Sequence, residues 1–315
     1  MSHGSTSGGG SVLVVGSVNR DYLCTVPRLP APGETVLAAG LVVGTGGKGA
    51  NQAVAAARLG ARTAFVGCVG DDADGRAVVS DLVAAGVDTG SVRTVPDDRS
   101  GTAFVVVGED GENSIVVAAG ANGRLGPAEA AAAVTTRVRP GDVVVAQAEV
   151  PVSAVQAVAH AAVAAGGRFV LNLAPYVPVP DTLLALCDPL VVNEGEAAEL
   201  VGSPVRDLAE ANSAVSALRQ RTRSAVVTLG ADGAVVAAPD LVEHVPAEPV
   251  EVRDTTGAGD AFIGALAARL AAGEDLLAAV RAGVVAGTRA VGRTGAQTSC
   301  PEAEDLLPTL SRGVH

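Results

Sequence analysis

Residues 11–16 read SVLVVG, a short apolar run rich in β-branched residues that ends at a glycine. The run lacks the alternation of apolar and polar residues that a half-exposed strand shows, so it is typical of a strand buried on both faces. Strands of this kind belong to parallel sheets that helices cover on both sides. The stretch therefore predicts an α/β protein with a parallel sheet.

Five further runs of the same kind follow, separated by Ala-rich stretches long enough for helices. They cover residues 64–69, 142–146, 169–173, 190–192 and 225–229. The alternation predicts βαβ units with the sheet between two helix layers. We expect residues 11–315 to form this one domain and residues 1–10, MSHGSTSGGG, to be a disordered leader.

Two regions break the rhythm, at about residues 21–43 and 100–118. In the second, two apolar runs are joined by GEDGEN at residues 108–113, a sequence suited to a hairpin turn. Strands that leave a parallel sheet and return to it can form a separate small sheet. We expect these two stretches to build a discontinuous β lid that closes over the substrate.

Composition narrows the class of partner. The net charge is -12, Trp is absent, and the chain has only two Tyr and four Phe. Acidity disfavours contact with a phosphate backbone, and few aromatic rings are available for stacking on bases. Nucleic acid is therefore not an expected ligand, whereas a nucleotide site built from local dipoles and a metal remains open.

Cysteine spacing and hydropathy indicate the compartment. The four cysteines lie far apart, without the short spacing of a zinc or redox motif: Cys24, Cys68, Cys187 and Cys300. Every apolar run is interrupted by Gly, Pro or charge before it reaches membrane-spanning length. We expect a cytoplasmic protein that does not insert into membranes.

The stretch DTTGAGDAFIGAL, at residues 254–266, is a Gly-rich turn that leads into an apolar helical pattern. It predicts free backbone amides at the positive end of a helix, where a phosphoryl group binds well. Gly257 and Gly259 allow the backbone to approach that group, and Asp260 lies beside it. The alternative is that Asp260 only caps the helix.

The stretch GTGGKGANQAVAAARLG, at residues 44–60, also opens a helix from a Gly-rich turn. It matches a dinucleotide fingerprint formally, but that fingerprint normally follows the first strand, where this chain has GSVNRD. A phosphate P-loop fails too, because Gly49 follows Lys48 where Ser or Thr is needed. Lys48 and Asn51 beside glycines favour a hydroxyl-rich ligand such as a sugar, with a plain turn as the alternative.

Asn19 and Asp21 follow the first strand at its carboxyl end, where open α/β sheets bind ligands. Both residues also form ordinary turns. Their position favours a ligand site.

Six motifs occur in a fixed order: GSVNRD, GGKGANQA, NEGEAAEL, TLGADG, DTTGAGDAF and RTGAQTS. In this order they resemble the ribokinases of the PfkB carbohydrate kinase family, from about Val12 to Pro301. The resemblance implies a ribokinase-like three-layer sandwich with a central, mostly parallel sheet and a small β-sheet lid. It also implies transfer of a phosphoryl group from MgATP to a sugar hydroxyl, with the 5-hydroxyl of D-ribose as the expected acceptor.

The resemblance assigns roles residue by residue. The catalytic positions are the base Asp260 with the anion-binding Gly257, Ala258 and Gly259. The sugar-binding positions are Asn19, Asp21, Gly47, Lys48, Asn51, Glu149 and Asp260. The nucleotide positions are Asn193, Thr228, Gly230, Gly233 and Gly259.

The resemblance also implies two cations. Glu196, with Asn193, lies near Mg²⁺ through water molecules, although an acid at a helix start is the alternative. An activating K⁺ is implied at Asp254, Thr256, Ala290, Arg293, Gly295 and Ser299, several of them through backbone carbonyls. It further implies a homodimer that joins the lids and so covers their strand edges.

Rival interpretations remain open. A deoxyribokinase, fructokinase or adenosine kinase of the same family differs by only a few pocket contacts, and the GGKGANQ stretch with Glu149 favours ribose. A catalytically inactive sugar-binding regulator is less favoured, because Asp260 and its loop are intact. A nicotinamide-dependent dehydrogenase comes third.

Overall fold

Thirteen strands are found in the part of the chain that the computed structural model describes, residues 9–110 and 112–310. In chain order they are β1 (Val12–Val15), β2 (Asn19–Val26), β3 (Gly40–Gly46), β4 (Thr63–Gly70), β5 (Asp88–Val95), β6 (Gly101–Gly108), β7 (Asn113–Ala118), β8 (Val143–Gln147), β9 (Arg168–Asn172), β10 (Leu190–Asn193), β11 (Ala225–Thr228), β12 (Ala234–Ala238) and β13 (Leu241–Val245).

Ten α-helices accompany them in the same described ranges. They are α1 (Lys48–Arg58), α2 (Ala73–Ala84), α3 (Pro127–Arg137), α4 (Val152–Ala164), α5 (Asp181–Leu184), α6 (Glu194–Val201), α7 (Leu208–Arg219), α8 (Ala258–Ala271), α9 (Leu276–Val291) and α10 (Ala303–Leu310). None of the helices described is long and apolar enough to cross a bilayer.

The larger sheet has the order β13-β12-β11-β10-β9-β8-β1-β4-β5. The seven strands from β11 to β5 are parallel, and β12 and β13 add an antiparallel hairpin at one edge. The predicted mostly parallel sheet is thus confirmed, and each of the six predicted runs is a strand within two residues of its expected bounds.

Strand β1 shows how the sheet supports two cores. Its four residues are buried, and successive side chains point to opposite faces. Val12 and Val14 pack in the cluster that includes residues of α1, α2, α8 and α9, while Leu13 and Val15 pack in the cluster of α3, α4, α6 and α7. These two helix layers with the sheet between them form the three-layer sandwich expected from the alternating pattern.

The smaller sheet has the order β3-β2-β6-β7 and carries the two regions that break the α/β rhythm. Strands β2 and β6 pair in parallel, whereas β3 and β7 pair antiparallel on either side. Strand β6 ends at Gly108 and β7 starts at Asn113, as the GEDGEN stretch predicts. The strands extend the expected ranges slightly, because β2 starts at Asn19 and β3 ends at Gly46.

The predicted leader lies mostly outside the described residues. Gly10 belongs to the main domain, since its N–H donates to the carbonyl of Ala271 at 2.7 Å. A Cβ on Gly10 would lie 2.0 Å from the carbonyl oxygen of Gly141, so the chain is already packed closely there. Gly10, the last residue of the expected leader, is therefore packed against the main domain.

Helices α1 and α8 approach each other unusually closely. A Cβ on Gly264 of α8 would lie 2.3 Å from the Cβ of Ala55 and 2.8 Å from the amide nitrogen of Ala56 on α1. Real Cβ atoms do not come this near to their neighbours, so only glycine fits without moving a helix. The relative position of the first turns of α1 and α8 therefore depends on Gly264.

We expect Gly264→Ala to destabilise the chain, although alanine favours helices over glycine by about 1 kcal/mol. Overpacking against the α1 backbone should outweigh that gain and give a net loss on the order of 2 kcal/mol in the free energy of unfolding. Denaturant unfolding measures it. Gly123→Ala is the control, because no described atom lies within 4 Å of its added Cβ. A stabilised Gly264→Ala variant would contradict the close contact.

Candidate active site

Two helices begin at the carboxyl edge of the parallel sheet, and each begins at a glycine. Gly47 precedes α1 with φ 86°, and Gly257 precedes α8 with φ 78°. Neither glycine cap uses a side chain of its own. The first turn of α1 is bonded instead to the loop after β1 and to Glu149, through the N–H groups of Lys48, Gly49 and Ala50. In the first turn of α8 the N–H groups of Gly259 and Asp260 have no partner among the described residues, so they can bind a ligand at the positive end of the helix dipole.

Gly47 also allows the first turn of α1 to lie against the loop after β1. A Cβ at this position would lie 2.9 Å from the Cα of Val18 and 2.9 Å from the amide nitrogen of Asn19. This close approach brings the predicted sugar residues of β2 next to those of α1.

Glu149 holds the loop after β1 against the first turn of α1. Its Oε2 accepts hydrogen bonds from the hydroxyl of Ser17 at 2.6 Å and from the N–H of Lys48 at 3.0 Å. The Ser17 hydroxyl in turn accepts the N–H of Gly49 at 3.3 Å. One carboxylate thus joins the ends of β1 and β8 to the start of α1.

Asn19 is buried, and its orientation is set by a residue that the sequence did not predict. The Oδ1 of Asn19 accepts a hydrogen bond from the Nδ2 of Asn122 at 2.8 Å. Asn122, also buried, accepts the N–H of Val18 and donates to the Val18 carbonyl. Its short helical turn at residues 120–124 follows β7, and the sequence signal there is only that of a polar loop.

Asp21 is the third residue of β2. Its Oδ1 is buried and has no hydrogen-bond partner among the described residues. Burial and, to a smaller extent, the nearby Glu149 raise its pKa to about 6, against the opposing charge of Arg20. A carboxylate left without donors in this way can accept hydroxyl groups of a ligand.

Asp260 is buried in the first turn of α8 and is held by two amides of α1. The Nδ2 of Asn51 donates to its Oδ2 at 2.9 Å, and the Nε2 of Gln52 donates to its Oδ1 at 2.9 Å. Burial raises its pKa, while the charge of Lys48 and the two amide donors oppose that rise and Glu149 adds to it. The two helix starts therefore converge on one basic carboxylate.

A cavity of about 210 Å³ opens over Asp260 between the ends of β10, β11, α1 and α8. Among the predicted site residues it is lined by Lys48, Asn193, Glu196, Thr228, Gly257, Gly259 and Asp260. Lining residues that were not predicted are Asn172, Ala174, Val191, Val192, Thr255, Phe262 and Ile263. Asn172 shares the signal that identified Asn19, a polar residue at the end of a buried strand.

Gly230 and Gly233 are not among the residues that line this cavity. Gly230 begins the helical turn Gly230–Asp232 between β11 and β12, and Gly233 follows it, with φ 51° and 89°. A Cβ on Gly233 would lie 2.0 Å from the carbonyl oxygen of Val245, so chain geometry alone requires glycine there. Ala258 is the first residue of α8, and its N–H is bonded to the Thr255 carbonyl at 3.3 Å.

Glu196 and Asn193 form a capping box at the start of α6. The Oε2 of Glu196 accepts the N–H of Asn193 at 2.9 Å, and the Oδ1 of Asn193 accepts the N–H of Glu196 at 2.8 Å. In the described chain no group of three or more His, Cys, Asp or Glu could hold a metal by itself. Glu196 is thus an acid at a helix start, and its carboxylate with the Asn193 amide oxygen lines the cavity as the hard oxygen ligands that Mg²⁺ takes beside water and phosphates.

The predicted K⁺ residues belong to two loops that meet behind the first turn of α8. Asp254 accepts the N–H of Thr256 through Oδ1 and the N–H of Gly295 through Oδ2, both at 2.8 Å. Although burial tends to raise the pKa of Asp254, these hydrogen bonds keep it below its usual value. Carboxylate and carbonyl oxygens are the ligands that suit a hard cation.

The remaining residues of this set are tied to the same loops. The carbonyl of Ala290 accepts the N–H of Arg293, whose side chain pairs with Asp305 at 3.0 Å. Ser299 is buried and donates to the carbonyl of Ala296, which lies 2.7 Å from the place of a Cβ on Gly257. The loop at residues 293–299 thus supports the glycine turn from behind.

Comparison with known proteins gives the family. The model of the pfkB family carbohydrate kinase matches residues 10–303. The ribokinase of Haemophilus influenzae is 36% identical over 301 residues, 95% of this chain and 98% of that protein. The ribokinase of Bacillus subtilis is 39% identical over 300 residues, 94% of this chain and 99% of that protein.

Among solved structures, Arabidopsis thaliana ribokinase complexed with ribose and ATP has a TM-score of 0.88 at 32% identity. The match covers 96% of this chain and 99% of that one. It confirms the ribokinase-like fold expected from the motifs. The chain belongs to the pfkB family of carbohydrate kinases.

Proposed function

We propose that the chain is a ribokinase, which transfers the γ-phosphoryl group of ATP to the 5-hydroxyl of D-ribose and yields ribose 5-phosphate and ADP. The observation that carries the proposal is the buried Asp260 carboxylate, held by Asn51 and Gln52 beside the open first turn of α8. The names of the relatives, and the ribose and ATP bound to the plant ribokinase, support the choice of substrates.

Asp260 acts as the base. The sugar hydroxyl oxygen bonds to the γ-phosphorus, the bond from that phosphorus to the ADP oxygen breaks, and the hydroxyl proton passes to Asp260. A pKa raised by burial makes this carboxylate a better proton acceptor. The amides of Gly257 and Gly259 and the dipole of α8 stabilise the charge that spreads over the phosphoryl oxygens, while the Ala258 N–H is bonded to the Thr255 carbonyl.

The sugar is held by groups that need hydroxyl donors. The Oδ1 atoms of Asp21 and Asn51 are both buried and lack partners among the described residues. Each such acceptor left unpaired costs about 1–3 kcal/mol, so a ligand with several hydroxyl groups gains affinity by satisfying them. Asn19, Lys48 and Glu149 complete the sugar set, and the Gly47 backbone lies between them.

The nucleotide and its cations lie on the α8 and β10 side. We assign ATP to Asn193, Thr228, Gly230, Gly233 and Gly259, with Mg²⁺ near Glu196 through water. Mg²⁺ supplies charge neutralisation of the phosphates when bound. Asp254, Thr256 and the loop at residues 290–299 would hold K⁺, whose positive charge would stabilise these loops behind the glycine turn.

The small sheet is proposed as the lid and as the dimer interface. Its large apolar side chains are exposed, among them Leu41, Val42, Phe104, Ile115, Val116 and Val117, each at least half exposed. A second copy covers these side chains and the strand edges. We place the enzyme in the cytoplasm, which its use of ATP and the free thiols of its four cysteines support.

We expect the chain to form ADP in the presence of ribose and Mg²⁺, faster in KCl than in choline chloride. Asp260→Asn, of equal size, should lower kcat about 10²–10⁴-fold because it removes the base. Asp240→Asn, in the exposed turn between β12 and β13, is the matched control. The panel includes deoxyribose, fructose and adenosine. Faster turnover of one of these than of ribose would reassign the substrate. Absence of turnover with every compound on the panel, ribose included, would reject the kinase.

Asp21→Asn should stabilise the ligand-free chain while weakening ribose binding. The pKa of Asp21 is about 6 in the folded chain against an ordinary 3.8, so its ionisation at neutral pH opposes folding. Stability from this group is complete below pH 3.8 and is lost as pH rises through 6. The variant should gain on the order of 1 kcal/mol at pH 7 and almost nothing at pH 4. Equal gains at both pH values would contradict this.

We expect sedimentation to give twice the mass of the 30.9 kDa chain. Val116→Asp on β7, 64% exposed, should yield monomers because it places a charge in the apolar interface. Val242→Asp on β13, 54% exposed, is the control and should remain dimeric. A monomeric parent, or dimeric Val116→Asp, would exclude the lid interface.

A further inference from the structure

Two buried glutamines lie behind Asp260, one from α1 and one from the end of β8. Gln52 is 1% exposed and Gln147 is 0% exposed. The Nε2 of Gln147 donates to the Oε1 of Gln52 at 2.6 Å, and the Nε2 of Gln52 donates to the Oδ1 of Asp260 at 2.9 Å. A second bond from Gln52 Nε2 reaches the Oδ1 of Asn172 at 3.0 Å. The amides therefore form a chain that ends on the base.

The orientation of Gln52 decides whether this chain helps the base. A side-chain amide has an oxygen at one end and an NH₂ group at the other. If Gln52 were reversed, its oxygen would face the oxygens of Asp260 and Asn172, which repel it. Gln147 favours the observed orientation, because its NH₂ group occupies the Oε1 end of Gln52.

Gln147 is kept in place at a cost in stability. Its Oε1 is buried and has no hydrogen-bond partner in the described chain. The same oxygen lies against Gly16, where an added Cβ would come within 1.9 Å of it. A buried, unpaired amide oxygen is unfavourable, and an apolar side chain of similar size would avoid the loss. Costly polar groups of this kind are concentrated at functional sites.

We infer that Gln147 and Gln52 are positioning residues for the base: Gln147 orients the Gln52 amide, and Gln52 directs Oδ1 of Asp260. The inference rests on the proposed function in one respect, the role of Asp260 as base. Gln147 is not among the residues that line the cavity and acts only through Gln52.

The electrostatic surroundings of Asp260 give the expected sign. Lys48 is the main charge that favours the ionised carboxylate of Asp260, and the negative charge of Glu149 disfavours it. The charge of Asp260 in turn raises the pKa of the Cys300 thiol. The Gln52 donor stabilises the ionised form against burial. Loss of this donor therefore raises the pKa of Asp260 further, so that less of the base is ionised at a given acidic pH.

The test compares Gln52→Met, Gln147→Met and the double variant, with Gln156→Met on α4 as control. Methionine keeps the length of the side chain but cannot donate or accept comparably. We expect kcat to fall about tenfold to a hundredfold in Gln52→Met and less in Gln147→Met, with the KM for ATP unchanged. The acidic limb of the kcat/KM profile should move up by about one pH unit in Gln52→Met.

The double variant distinguishes an effect of Gln147 that acts through Gln52 from two independent packing effects. If Gln147 acts through Gln52, the double variant matches Gln52→Met alone; two independent losses multiply instead. Multiplied losses, or an unmoved pH profile, would overturn the inference. If Gln52→Met fails to fold, Gln147→Met alone decides, since it should move the same limb in the same direction.

A direct reading of Asp260 keeps the inference separate from the proposed function. Carbon NMR of the carboxylates, with the Asp260 signal identified by its loss in Asp260→Asn, gives the pKa without any turnover. A chain that phosphorylates no sugar rejects the proposed function, while a higher Asp260 pKa in both glutamine variants still supports the positioning role of the two glutamines. An unchanged Asp260 pKa rejects that role even in an active enzyme.

Discussion

The contact between α1 and α8 at Gly264 and Ala55 sets the surroundings of Asp260. It brings two helix starts so close that Asn51 and Gln52 of one helix reach both oxygens of Asp260 on the other. A buried carboxylate is unfavourable without donors, and here a neighbouring helix supplies them. Because Gly264 has no side chain, the two helices can approach this closely, and the packing of small residues thus sets the environment of Asp260, the proposed base.

The direction of the strands explains why the polar residues converge. All strands from β11 to β5 run parallel, so their carboxyl ends share one edge of the sheet. Residues that follow β1, β8 and β10 consequently meet there, although they are far apart in sequence. The first turn of α8 adds open amides to the same edge and α1 adds polar side chains, which gives a polar pocket on an otherwise apolar sheet.

Much of this arrangement could be predicted from the sequence, because buried strands and glycine-led helices leave strong local signals. Strand β5, DTGSVRTV, was missed since it is a half-exposed edge strand with polar residues, and β12 and β13 were missed as a hairpin within an α/β pattern. Asn122 and Gln147 were missed for another reason. Their roles arise from contacts across about 100 residues of sequence, which local patterns do not encode.

The split of the proposed sugar residues between two sheets has a mechanical consequence. Asn19 and Asp21 belong to β2 of the small sheet, whereas Asp260 belongs to a helix packed on the large one. A sugar bound as proposed would touch both sheets and bridge them. Its length and shape would then set how far the proposed lid closes, so that the same few atoms would decide both substrate recognition and closure.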